Sequence, residues 1–165
     1  MNRYFKRFTE ELVLAIIPPS FYPWFVDKTY LMRHGPQSSN KGLFLWEDKI
    51  IKNFFPPSPA RILVCAAGGG RELVALNLRG YSLAGFEPIL SSANHIKAII
   101  SKDRLLAFCR GTYEDLVTGF LQEIEENSPY DAVIVGWGSI SNILDFKIHK
   151  MILESGYYLN SRIAR

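Results

Sequence analysis

Apolar positions along the chain fall into two regimes. Up to residue 59 they come in short bursts broken by proline. From residue 60 they form continuous runs separated by stretches of helical spacing. The spacing predicts a short amphipathic helix over 3–17, stopped by Pro18-Pro19, and a second over 43–55. In the second, Leu45, Ile50, Ile51 and Phe54 recur at helical intervals until Pro56-Pro57. Proline ends a helix because it lacks the backbone donor and its ring clashes with the preceding turn. Beyond Pro59, apolar runs predict strands over 61–66, 81–86, 104–109 and 130–135. Helical spacing predicts a helix after each, over 72–78, 89–100, 113–125 and 143–153. Gly80 stands where a C-terminal cap belongs. Leu116, Phe120, Leu121 and Ile124 share one face of the third of these helices.

Strands alternating with helices imply parallel pairing through right-handed crossovers. Strands that are apolar along their whole length fit a sheet covered on both faces. The expected fold class is therefore α/β, a doubly wound, mostly parallel sheet flanked by helices. Residues 1–59 are expected to form a helical, proline-broken, aromatic cap segment and 60–165 the core. Ligands of such sheets sit at the carboxyl ends of the strands.

Composition narrows the classes. A chain of 165 residues, 48% apolar and 21% charged, is long enough for one core and too apolar for disorder. A net charge of +3 is too small to argue by itself for nucleic acid or an anionic membrane. Residues 1–60 carry eight Lys/Arg against five Asp/Glu, and 61–165 carry eleven of each. Cys65 and Cys109 lie in strand-like runs with no metal-ligand spacing. Free, buried thiols in a reducing compartment and no metal site are expected. The basic start is interrupted by Glu10 and Glu11, and the apolar run 12–17 is too short for a signal or a membrane span. A cytoplasmic location without a transmembrane segment is expected.

The unusual chemistry lies at the strand ends. The first strand runs into Ala66-Ala67-Gly68-Gly69-Gly70-Arg71-Glu72. Glycines between a strand and a helix permit a tight turn and close approach of a ligand to the backbone near the helix N-terminus. The second strand ends in Gly85-Phe86-Glu87-Pro88, with Glu87 17 residues after Gly70. A carboxylate there suits the two hydroxyls of an adenosine ribose. Aligning Gly68 and Gly70 with the first two glycines of G-x-G-x-x-G puts Leu73 at the third, which disfavours NAD. No G-x-x-x-x-G-K-[ST] is present for ATP phosphates.

Residues 62–72, with the glycine turn, resemble the first motif of class I S-adenosylmethionine-dependent methyltransferases. Gly85-Phe-Glu-Pro resembles their acidic second motif. Gly111-Thr-Tyr-Glu-Asp-Leu is similar to the loop after the third strand, and residues 130–139 to the fourth strand and its tip. The resemblance covers about 43 to 153 and implies a Rossmann-like fold and S-adenosylmethionine as cofactor. It further implies that Ala66, Gly68, Gly69 and Gly70 bind the cofactor, with Gly68 and Gly70 against its methionine part, and that Glu87 holds the ribose. Thr112, Tyr113 and Glu114 would flank the adenine. Gly136 and Trp137 would line the donor side, and Trp137 and Ser139 the acceptor side. Two positions depart from the pattern: Ala66 stands where glycine is common, and Val64 where an acidic residue often occurs.

Methyl transfer needs alignment and exclusion of water more than it needs a general base. Among His34, His95 and His149, His34 is the catalytic candidate, because it precedes the first motif, where the family often places a lid. Gly136-Trp-Gly-Ser replaces the Asp-Pro-Pro-Tyr type of motif, which disfavours nucleic-acid bases, and the expected methyl acceptor is a small molecule or is left undefined. A catalytically inactive partner module of the same fold is the rival reading, and an NAD-type dinucleotide-binding protein the weaker one. The aromatic front segment fits a cap over the site, a partner surface or a membrane-surface helix. Only four clear strands precede residue 136, so the closing strands of the full fold are expected to be missing. A homodimer or partner covering an unfinished sheet edge is the corresponding expectation.

Overall fold

The computed structural model describes residues 18–21, 28, 35–136, 139, 143, 146–150 and 152. Contacts divide the chain into two units, Met1–Arg33 and His34–Arg165. Of the first, residues Pro19–Phe21 form a single 3-10 turn. The helix expected over 3–17 and the remaining front aromatics lie outside the described residues. Everything below concerns the second unit.

The sheet is built from β1 (Arg61–Cys65), β2 (Ser82–Glu87), β3 (Leu105–Arg110) and β4 (Ala132–Val135). Its order is β3-β2-β1-β4, and every pairing is parallel. This is an α/β arrangement of Rossmann-like type. Helix α1 spans Leu45–Phe54, α2 Arg71–Leu78 and α3 Leu90–Ile99. Two short helices follow, α4 (Tyr113–Val117) and α5 (Gln122–Glu126), and residues 146–150 are helical. Among the described residues, no helix is long and apolar enough to cross a membrane.

Alternation along the strands sorts the core into two layers. Ile62 and Val64 of β1 and Leu83 of β2 face Leu73 and Leu76 of α2 and Ala93 and Ile96 of α3. Leu63 and Cys65 of β1 and Ala84 and Phe86 of β2 face Leu116, Ile124 and Tyr130 on the other side. Successive residues of β1 and β2 thus alternate between two cores, which is why the middles of these strands are apolar on both faces. Val64 fills the first core, so apolar packing stands where an acidic support was considered.

The single helix expected over 113–125 is two. Thr118 ends α4, and Gly119 takes φ 77°. The Phe120 N–H reaches the Asp115 carbonyl at 2.9 Å and the Gly119 N–H that of Leu116 at 3.4 Å, the pattern of a Schellman cap. Phe120 is turned into solvent by this cap, while Leu116, Leu121 and Ile124 remain buried.

The stretch 35–55 belongs to the same unit as the sheet. In α1, Ile51 enters the first core. Glu47 accepts the Phe44 N–H at 2.7 Å and forms a two-pronged pair with Arg71, each contact 2.7 Å. Arg79 bonds Asp48, which also pairs with Lys52. Glu47 is therefore spent on the inner side of α1, and Asp48 is shared between Arg79 and the exposed Lys52.

Candidate functional site

The strand order reverses between β1 and β4, and sheets of this kind take ligands at the carboxyl ends of the strands beside such a reversal. The four strand tips are tied in a row beyond the regular ladder. The Ala67 N–H donates to the Phe86 carbonyl at 3.1 Å, Gly111 to Glu87 at 3.3 Å, and Gly136 to Cys65 at 2.9 Å. The structure thus brings together the glycine turn, Glu87, the Gly111–Thr112 loop and Gly136, four features that lie far apart in sequence.

The glycine turn begins at Ala66, whose φ is 49°, and passes through Gly68 at 60° and Gly70 at 85° into α2. Left-handed backbone is natural for glycine and costs other residues about 1–2 kcal/mol. Ala66 carries that cost. Ala66→Gly is expected to raise stability by a few tenths to about 1 kcal/mol, read as a higher urea midpoint at unchanged slope.

Glu87 is fully buried at the tip of β2. One carboxylate oxygen accepts the Gly68 N–H at 2.7 Å and the other accepts the Ile89 N–H at 3.1 Å. Burial raises its carboxyl from 4.5 to about 7, against the opposing pull of those two N–H donors. An acid so perturbed, placed at a strand tip beside a glycine turn, is a candidate functional position.

A 3-10 turn over Pro36–Lys41 sits directly on this loop. A β-carbon at Gly69 would stand 2.1 Å from the Gly35 carbonyl oxygen and 2.2 Å from the Ser38 hydroxyl. Ser38 donates back to the Gly35 carbonyl at 2.8 Å, and both Ser38 and Ser39 are buried. Gly35-Pro36 has the local signature of a turn and nothing more. Its seat on Gly69 is a long-range contact with no local signature. The absence of a side chain at Gly69 is its single trace in the sequence.

Thr112 is the N-cap of α4. Its hydroxyl accepts the Asp115 N–H at 3.2 Å, and Asp115 accepts the Thr112 N–H at 2.8 Å, a reciprocal cap. Tyr113 is buried and packs edge-on against Phe86, with ring centroids 5.3 Å apart. Its hydroxyl lies 2.6 Å from Ser139 Oγ, and Ser139 donates to the Gly136 carbonyl at 2.5 Å. Ser139 has one hydroxyl proton, so Tyr113 donates and Ser139 passes the bond on. Burial lifts the Tyr113 phenol well above its ordinary range and keeps it protonated. Glu114 is exposed on the outside of α4. His34 and Trp137 lie outside the described residues.

Cys65 is buried and its thiol is pushed up to about 12 by burial, so it is an inert core group. Cys109 is half-buried and also raised by burial. Among the described residues no group of His, Cys, Asp and Glu is placed to hold a metal ion. Compared with family models and with curated proteins, the chain matches none.

Proposed function

We propose that the strand tips around Glu87 bind S-adenosylmethionine and that the chain transfers its methyl group to a small molecule. The observation that carries this is Glu87. It is a buried carboxylate at the β2 tip, bonded to the amide of a left-handed glycine turn and adjacent to the point where the strand order reverses. A carboxylate only accepts hydrogen bonds, which suits the two donors of a ribose diol. Each of its oxygens is engaged once, leaving further lone-pair capacity. The donor set therefore fits a nucleoside. Glu87 is shut off from solvent, so a ligand reaches it only after some local opening.

When bound, the donor supplies an activated methyl group on a sulfonium. The chain's task is orientation and dryness. Glu87 fixes the ribose. The 66–70 turn would face the amino-acid end with backbone, its Ala67, Gly68 and Gly70 amides already bonded within the fold and its Gly69 covered by the 36–41 turn. The Tyr113–Ser139–Gly136 relay holds the β4 tip in one conformation. No base is needed where the acceptor attacks in its neutral form.

A dinucleotide is disfavoured by Leu73. It stands where the third glycine of that fingerprint belongs, and its side chain is wholly enclosed in the first core. A thermal-shift comparison tests the ligand class. S-adenosylhomocysteine is expected to raise the melting temperature and NAD to leave it unchanged. A shift with NAD alone overturns the proposal. Donor binding without turnover on any acceptor favours the inactive module.

A further inference from the structure

The pairing of the α1 carboxylates leaves that helix with an unusual outer face. Glu47 and Asp48 point to Arg71 and Arg79. What remains outside is Leu45, Trp46, Ile50 and Phe54 together with Lys49 and Lys52. Leu45 is 84% exposed and Phe54 79%, and Trp46 and Ile50 are exposed as well. Trp46, Ile50 and Phe54 follow one another at intervals of four and so form one stripe along the helix. Isolated exposed apolar residues need no explanation, but a contiguous stripe on one helix does.

We propose that this face of α1 docks in the plane of an anionic lipid surface. Charge complementarity selects that partner. Glu47 is enclosed against Arg71, and Asp48 is shared between Arg79 and the exposed Lys52, so with Lys49 the balance of charge beside the apolar stripe is basic. An anionic bilayer attracts lysines close to its surface and accepts apolar side chains at the acyl boundary. An indole in such a stripe sits well at headgroup depth. Ten residues rise only about 15 Å, half a hydrocarbon core, so the helix lies on the membrane and does not cross it. Its orientation is already fixed by the arginine contacts, so no folding step accompanies docking. The inference stands independently of the methyl-transfer proposal.

The test is flotation of the full chain with phosphatidylcholine vesicles and with vesicles that also contain phosphatidylserine. Binding to the anionic vesicles alone is expected. It should fall about fivefold or more on Lys49→Glu and again in high salt. Ile50→Asn combined with Phe54→Ser is expected to remove it, and both sites are exposed, so the fold survives. Equal binding to neutral vesicles overturns the proposal, as does binding that these substitutions leave intact. So does a dimer in sedimentation that the same substitutions convert to monomer, since a second copy would then own the face.

Discussion

Glu87→Gln is expected to weaken binding of S-adenosylhomocysteine about 100-fold. Hydrogen bonds to a charged group contribute roughly 1.5–3 kcal/mol each, and the ribose offers two donors to one carboxylate. The amide keeps the shape but has one acceptor and one donor end. Whichever way it turns, its NH2 group faces either the Gly68 or the Ile89 N–H, both of which Glu87 now satisfies. Some loss of stability therefore accompanies the loss of affinity, of the order of 1–3 kcal/mol for one unsatisfied buried group. Thermal melts of the free variant separate the two effects.

The raised carboxyl gives the same residue a pH signature with two opposite signs. Folded Glu87 holds its proton more tightly than the unfolded chain does. Its contribution to stability is thus full below about pH 4.5 and is lost as pH rises through about 7. The stability of the native chain relative to Glu87→Gln should fall across that window. Ligand affinity should move the other way, because only the ionised form accepts from both hydroxyls. An increase of about tenfold between pH 6 and pH 8 is expected. An affinity flat across that range would remove Glu87 from the ribose.

Arg71→Ala is expected to cost about 3–5 kcal/mol, the usual penalty for removing one partner of a buried ion pair. Arg71 and Glu47 expose only 12% and 10% of their side chains. Arg71 also donates to the Gly42 carbonyl at 3.0 Å and lies over the Phe44 ring, 4.4 Å from its centroid. Burial pushes the Glu47 carboxyl up, yet the Arg71 guanidinium and the Phe44 N–H outweigh it and hold the group below its ordinary range. Alanine leaves that carboxylate enclosed without a cation. Arg71→Lys restores the charge but not the two-pronged contact and should recover only part of the loss. Hydrogen exchange is expected to quicken first over 36–54, the segment that Arg71 fastens. Because Glu47 is lowered, its contribution to stability is present above about pH 4.5 and lost in acid. Uniform exchange throughout the sheet, with no excess in 36–54, would contradict this local role.

The strands were legible because each must be apolar on both faces, which leaves a continuous run that loops do not imitate. Ile62–Cys65 and Leu83–Phe86 fill both cores, and their positions followed from that run alone. The glycine turn and Glu87 were legible for a different reason: glycine and a carboxylate are chemically out of place at the ends of such strands. What failed was local in another way. Leu116, Leu121 and Ile124 keep helical spacing across Gly119, so periodicity could not reveal the Schellman cap that separates α4 from α5. The seat of 35–41 on Gly69 and the grip of Arg71 on Glu47 join residues more than twenty positions apart. Nothing in the local pattern marks such pairs, because either charge would be equally at home in solvent.

The central claim is that Glu87 and the adjoining glycine turn form a nucleoside site for the methyl donor. Titration calorimetry of the chain with S-adenosylhomocysteine at pH 8, alongside Glu87→Gln, tests it most directly. Saturable one-to-one binding that weakens about 100-fold in the variant is the expected result. No heat at millimolar ligand, or equal affinity in both proteins, would contradict it.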